Sequence, residues 1–295
     1  LALTALAKAY SYENRCKIYY VLVDHNIRKN SSREAKSVKR LLKKYQIALH
    51  VLKNKKMIRK NIQSEARTVR YNLLTNFCKK KKIKTIFTAH NLEDQVETFF
   101  IRLSRGSGLQ GLSSMKQVNK ISGNISLIRP LLGFKKDQLI KISKLTFGKY
   151  FKDPTNKNTK YLRTRIRNLK TSLEKSGINY DKIFQSIKNL ASSRDTLDYY
   201  FNKIYKDIIV KKNDKIFIDL KKFNNINQEM KVMVLKKTIK DFTQSYYATR
   251  SKKIINLINH IKAKKNAKLT LGGCIIFREK KHIIFQKENK DYRSS

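Results

Sequence analysis

The sequence predicts an α/β protein, a parallel sheet with helices on both faces, followed by a mostly helical second domain that ends in short strands. Two patterns carry this expectation. In the first half, runs with helical spacing alternate with β-branched runs at intervals of roughly 20 to 40 residues, the spacing of βαβ units with right-handed crossovers. Beyond residue 180 the spacing is almost wholly helical until short strand-like runs close the chain.

Residues 1–13 are rich in Ala and Leu and read as a helix. Residues 17–23, KIYYVLV, are β-branched and aromatic, a buried strand ending at Asp24-His25-Asn26. A helix is expected over 31–45, a short strand over 48–52, a helix over 63–80, a strand over 85–88 and a helix over 92–104. A linker is placed near Ser176-Gly177, which divides the chain into a catalytic domain, 1–176, and a helical substrate-binding domain, 177–295. In the second domain 181–211 reads as one long helix or a broken pair, 215–220 as a short strand, and 228–242 and 250–264 as amphipathic helices. Strands over 268–271, 274–277 and 282–286 turn at Gly272-Gly273 and at Glu279-Lys280-Lys281. No internal repeat is present.

The 295 residues suffice for two domains with hydrophobic cores, and 40% hydrophobic content excludes a disordered chain. Lys and Arg total 68 against 21 acidic residues, a formal charge of +47. A compositional bias toward Lys, Ile and Asn accounts for part of that excess. The remainder points to a polyanionic partner, nucleic acid above all, because each phosphate neutralised releases counterions. Cys16, Cys78 and Cys274 form no C-x-x-C pair, which argues against a zinc ribbon, a redox dithiol or a disulfide framework and favours a reducing cytoplasm. No apolar run approaches the roughly 18 residues of a membrane span. Leu1 to Ala7 reads as part of a nucleotide-binding unit rather than the end of a secretory h-region.

The most informative stretch is TAHNLEDQVETFFIRLSRGSGLQGLSSM, from Thr88 to Met115. A strand ends at His90 and a helix opens at Asn91 or Leu92, so Glu93, Asp94 and Glu97 fall in its first turns. Asp94 and Glu97 are i and i+3 and share one face. Two carboxylates there can hold Mg²⁺ against a triphosphate or accept a proton from an amine. Acidic residues are also favoured in any first helical turn by the dipole alone. Gly106, Gly108 and Gly111 then fall within six residues in a chain with only nine glycines, and Arg102 and Arg105 just before them add charge. Such a loop lets backbone approach phosphate closely.

Taken together, these residues resemble the A-H-H-x-D-D-Q-x-E-T…R-x-x-R-G-S-G-L-x-G-L motif of the tRNA(Ile)-lysidine synthetases, which are ATP pyrophosphatases of the PP-loop type. Further segments agree in order. Val23-Asp24-His25-Asn26 with Ser32 and Glu34-Ala35 is similar to V-D-H-G-L-R…S-x-x-E-A. Ala66-Arg67 with Arg70-Tyr71 resembles A-R-x-x-R-Y, and Arg129-Pro130-Leu131-Leu132 resembles R-P-L-L. Asp153-Pro154-Thr155-Asn156 with Tyr161, Arg163, Arg165, Ile166 and Arg167 resembles D-x-S-N…Y-x-R-N-R-I-R. Thr270-Leu271-Gly272-Gly273-Cys274 resembles T-L-G-G-C. Asn91, Glu93, Thr155 and Thr164 depart from the pattern, and Glu93 carries its charge one methylene further out.

The resemblance implies a Rossmann-like sheet of the adenine nucleotide alpha hydrolase type. It implies ATP-dependent ligation of free L-lysine to C2 of the wobble cytidine of a tRNA(Ile) with CAU anticodon, in the cytoplasm, with Mg²⁺. The expected roles are Asp94, Glu97 and Arg70 as catalytic residues, Asp94 and Glu97 also as metal ligands. Asp24, His25, His90, Arg105, Gly106 and Gly108 are expected at ATP, and Arg163, Arg165 and Arg167 at tRNA. For His25 a backbone-bonded strand-end histidine is the other reading, and one of the three arginines is expected to be structural. Oligomeric state is left open, a homodimer included. The family's first strand and its S-G-G-x-D-S phosphate loop are not found in this sequence, which starts without Met and reads as a fragment. The 295 residues as written are therefore expected to fold poorly and not to turn over ATP. Two other readings stand beside this one: a tRNA thiolation enzyme of the same class, which needs sulfur delivery, and a non-catalytic RNA-binding remnant.

Overall fold

A computed structural model of the chain describes residues 1–27, 30–55, 58, 62–151, 159–243, 249, 251–263 and 268–288. Contacts divide it into two units, Leu1–Ser192 and Ser193–Ser295.

In the first unit the strand and helix runs form where the apolar spacing puts them. Helix α1 (Ala2–Glu13) leads to β1 (Tyr20–Asp24), α2 (Ser31–Lys44), β2 (Leu49–Lys53) and α3 (Ile62–Lys80). Strand β3 (Thr85–Phe87) leads into α4 (Leu92–Leu103) and the single-turn α5 (Leu109–Leu112). Strands β1 and β2 pair in parallel, with Leu22 opposite Val51. The β1–α2–β2 unit expected from the sequence is present, whereas β3 pairs in parallel with β5 (Ile125–Ile128), a strand not anticipated, and, among the described residues, not with β2. The architecture is α/β with a parallel, Rossmann-like sheet. An antiparallel strand not anticipated, β4 (Val118–Ser122), pairs with β5 through a turn at Gly123. Among the described residues no backbone ladder joins β1 to β3, and each has a strand partner on one side only.

Apolar burial in this unit is divided among several small clusters. Leu41, Leu42, Ile47, Leu49 and Phe147 form one, and Tyr71, Cys78, Ile86, Ile125 and Leu127 another. Ala2, Leu131 and Leu139 join α1 to α6 (Lys136–Phe147). The remaining cluster joins α4, through Leu92 and Val96, to Tyr180, Ile183 and Ile187 at the start of α9 (Tyr180–Ile208). That packing explains why the contact division falls after Ser192 and not at the Ser176-Gly177 linker expected from the sequence. Between α6 and α9 lie α7 (Leu162–Asn168) and α8 (Lys170–Lys175).

The second unit has a single continuous core. Strands β6 (Ile209–Lys212), β7 (Lys215–Asp219), β10 (His282–Lys287), β9 (Cys274–Glu279) and β8 (Leu269–Leu271) form one antiparallel sheet in that order. Helices α10 (Leu220–Asn225), α11 (Gln228–Thr243) and α12 (Ser251–Ala263) complete the unit. Ile218, Leu235, Ile254, Ile258, Ile283 and Phe285 are fully buried there. Each such side chain contributes about 1.5–3 kcal/mol relative to exposure. The long helix expected over 181–211 ends instead at Ile208. Ile209 and Val210 extend into β6 because Asn213 and Asp214, both at positive φ, close a two-residue hairpin onto β7. The β8–β9 turn at Gly272-Gly273 forms as expected, with both glycines at positive φ. Among the described residues no helix is long and apolar enough to cross a membrane.

Candidate functional site

The site is built around the carboxyl ends of β1 and β3, where an α/β sheet gathers its chemistry. At the end of β1, Asp24 is buried and accepts from Ser32 Oγ at 2.7 Å and from the Asn26 amide at 3.0 Å. Burial works against its charge, but these bonds prevail and hold its carboxyl below the usual range. Asn54, just past β2, ties the two strand ends together through its amide to Asp24 O at 2.8 Å and its side chain to His25 O at 3.3 Å.

His25 points at Arg70 on α3. Arg70 Nε and Nη2 both lie 3.3 Å from His25 Nε2. A guanidinium only donates, so Nε2 accepts and the imidazole is neutral with its proton on Nδ1. Nδ1 is buried with no partner among the described residues. Burial and then the neighbouring Arg70 push the His25 pKa down, with Asp24 opposing. This side-chain pairing differs from the backbone-bonded histidine weighed as the other reading. Burial, then Arg67 and Arg163 nearby, likewise lower Arg70.

His90 follows β3 and bonds through Nδ1 to Thr88 Oγ1 at 2.9 Å. Burial lowers its pKa to about 4, with Asp94 opposing and Arg129, Arg67 and Arg70 adding to the shift. Arg67 and Arg70 of α3 and Arg129 after β5 therefore all act on His90, with Asp94 the opposing anion.

Helix α4 begins with a capping box. Asn91 Oδ1 accepts from the Asp94 amide at 2.9 Å, and Asp94 Oδ2 accepts from the Asn91 amide at 3.1 Å. Asp94 Oδ1 accepts no hydrogen bond among the described residues and is the free oxygen of the pair. Glu93 accepts from the Lys136 amide with both oxygens, at 3.1 and 2.9 Å, and so caps α6. Glu97 is 1% exposed and is held by Arg167, whose Nε meets Oε1 and whose Nη2 meets Oε2 at 3.1 Å. Burial pushes the Glu97 carboxyl above its ordinary value, and Arg167 works the other way.

These contacts decide how Mg²⁺ fits. The Asp94 and Glu97 carboxylates are not presented as a free ligand pair, because Glu97 is engaged bidentately by Arg167. Among the described residues no group of three or more His, Cys, Asp and Glu gathers as a metal site. Asp94 Oδ1 alone fits, as one protein ligand to an ion otherwise held by substrate phosphates and water.

Of the three arginines on α7, Arg167 is thus the half-buried partner of Glu97. Arg163 is exposed yet near enough to act on Arg70 and Glu97. Arg165 is exposed as well. The Gly-rich loop is organised by Gln95, which the sequence did not single out, and by Arg102, which was expected to add charge for phosphate. Gln95 exchanges two bonds with the Met115 backbone, at 2.9 and 2.8 Å. Arg102 Nη1 donates to Gly111 O at 2.6 Å and Ser114 O at 2.8 Å, so its charge is spent inside the loop. Gly111 is needed for close approach, since a Cβ there would lie 2.5 Å from Ser107 Cβ. Arg105, Gly106 and Gly108 are exposed, and the described contacts do not join them to the His25–Arg70–His90 group. The Asp153-Pro154-Thr155-Asn156 segment lies outside the described residues.

Comparison with known proteins shows what the chain is similar to. The family described as PP-loop domain, ATP_bind_3, matches residues 1–172. The tRNA(Ile)-lysidine synthase of Wolbachia pipientis wMel is 31% identical over 294 residues, covering 98% of this chain and 68% of that protein. That of Orientia tsutsugamushi (strain Boryong) is 32% identical over 299 residues, covering 98% and 67%. The chain thus spans about two thirds of the length of these relatives. Among solved structures, the U34-tRNA thiolase NcsA from Methanococcus maripaludis with its 4Fe-4S cluster aligns at 15% identity over 63% of this chain and 66% of that one, with a TM-score of 0.49.

Proposed function

Because the chain belongs to the tRNA(Ile)-lysidine synthase family of PP-loop proteins, we propose that it ligates free lysine to the wobble cytidine of a tRNA(Ile) with CAU anticodon. The pyrimidine C2 oxygen is a poor leaving group. In the proposed first step that oxygen attacks the α-phosphorus of ATP, and pyrophosphate leaves. In the second, the ε-amine of lysine attacks C2, the C2–O bond breaks and AMP departs with the oxygen. The amine must first lose the proton of its ammonium form, and the product is lysidine, which reads AUA in place of AUG.

The observation that supports this reading best is the free Oδ1 of Asp94, a carboxylate that acts on His90 together with Arg129, Arg67 and Arg70. Arg70, oriented by His25 on a strand end, supplies positive charge for the departing adenylate, where developing anionic charge needs a fixed donor. Arg163 adds to that field from α7, and with Arg165 it is proposed to meet tRNA phosphate. His90, kept neutral, can accept or donate a hydrogen bond without adding charge. Asp94 is proposed to position the lysine ammonium and take its proton, or to hold Mg²⁺. That ion supplies neutralisation of the triphosphate when bound. Glu97 and Arg167 are proposed as a positioning pair that fixes α7 against α4. Arg105, Gly106 and Gly108 remain proposed contacts to ATP phosphate. The exposed basic residues of the second unit are proposed to grip tRNA by shape and phosphate, in the cytoplasm.

Asp94→Asn tests the assignment. Removing a positioned proton acceptor lowers lysine transfer by about 10²–10⁴-fold, while tRNA binding stays within a few-fold. Equal loss of transfer and binding would assign Asp94 to capping α4 alone.

A further inference from the structure

On α9, within the second unit, Tyr199 and Tyr200 stand out as adjacent aromatic side chains turned to solvent, 58% and 56% exposed. We infer that they form a stacking surface for unpaired nucleobases of an RNA, flanked by Lys203 and Lys206 for its phosphates. The inference rests on the proposal that the substrate is RNA and is independent of the lysine chemistry.

Helix α9 buries Phe201, Tyr205 and Ile208 in the core of this unit, which leaves Tyr199 and Tyr200 with no part in it. Their rings meet edge to face, with centroids 5.4 Å apart and planes at 80°. That contact uses one ring's edge and the other's face, so ring surface remains open to solvent. Lys203 Nζ lies over the Tyr199 ring, 4.6 Å from its centroid, a cation–π contact that a stacking base would replace, leaving the ammonium within reach of that base's phosphate. Lys206, one turn on, is exposed. Of the acidic residues in the preceding turn, Asp195 accepts from Arg194 at 3.0 and 3.1 Å, and Asp198 is half-buried.

Charge selects the occupant. An exposed aromatic pair can pack on a second copy of the chain, but each copy carries +47 and close approach sets like charges together. An RNA loop offers the complementary sign and π-faces that stack on tyrosine whatever the sequence. Duplex RNA keeps its bases stacked inside and offers none.

The test compares the full chain with Y199A/Y200A and Y199F/Y200F on two probes: a single-stranded RNA oligonucleotide carrying 2-aminopurine, and a blunt RNA duplex of equal length. The alanine pair should weaken single-strand binding by about tenfold or more and relieve 2-aminopurine quenching. Duplex affinity should change by less than about twofold, the scale on which phosphate contacts alone are preserved. The phenylalanine pair, which keeps the rings, should behave as wild type on both probes, and thermal melting should match for all three proteins. Unchanged single-strand binding, or equal loss on both RNAs, overturns the inference. So does sedimentation in which the alanine pair dissolves a dimer. If the wild-type chain binds neither RNA, the RNA reading itself fails, which is a separate outcome.

Discussion

Asp94 and Glu97 have the same spacing on α4 but opposite surroundings. Asp94 is half-buried with one oxygen free, whereas Glu97 is almost wholly buried and closed by Arg167. Sequence spacing places both carboxylates on one face. It cannot say which will find an arginine, because that arginine arrives from α7, seventy positions away in sequence. The same limit hid Gln95, although it stands inside the motif, since its work is a contact with the Met115 backbone. His25 and His90 stand at strand ends, where the strand patterns put them, whereas Arg70 lies within α3 and was named only through the family resemblance. His90 also gives a residue-scale prediction. Its folded pKa, about 4, lies below the unfolded value near 6.5. Between those values only the unfolded state binds the proton, so stability is full above about pH 6.5 and falls as pH drops toward 4, by up to about 3 kcal/mol. Urea unfolding of His90→Asn should show a flatter pH dependence in that window, and an unaltered slope would mean that other groups dominate it.

Among the elements, the helices and parallel strands with strong spacing were legible, and the failures share a cause. Strands β4 and β5 alternate polar and apolar residues around Gly123-Asn124, a hairpin signal masked by the short length of both runs. Strand β6 was absorbed into the preceding helix because Ile209 and Val210 also fit its apolar stripe, and only the Asn213-Asp214 turn separates the two readings. The elements differ in how well they are held. Strand β10 is paired on both sides, by β7 and β9, with Ile283 and Phe285 fully buried. Strand β1 is paired by β2 alone, and no residue before Asp24 in it is fully buried. Amide hydrogen exchange should therefore be slowest in β10 and faster by orders of magnitude in β1, since protection follows burial and two-sided pairing. Equal protection of both strands would show that the first unit gains support that these contacts do not reveal.

At the scale of the whole molecule, the two units divide the work unevenly. The second has one continuous core, while the first has small separate clusters around the strand ends where the proposed chemistry sits. The charge of +47 covers both and gives the protein a long-range field for a polyanion. Affinity for tRNA should fall steeply with salt, by roughly 10³-fold or more between 50 and 200 mM if six or more phosphates are neutralised. A flat response would leave the charge to compositional bias. The central claim, lysine ligation, is tested most directly by ATP-dependent incorporation of labelled lysine into tRNA(Ile) with a CAU anticodon. The assay compares this chain with a version carrying the family's strand and S-G-G-x-D-S loop ahead of Leu1, and other tRNAs serve as controls. Lysine incorporated into the CAU tRNA alone, dependent on ATP and lost in Asp94→Asn, is the predicted result. No incorporation by either protein, while both still bind tRNA, would contradict the account.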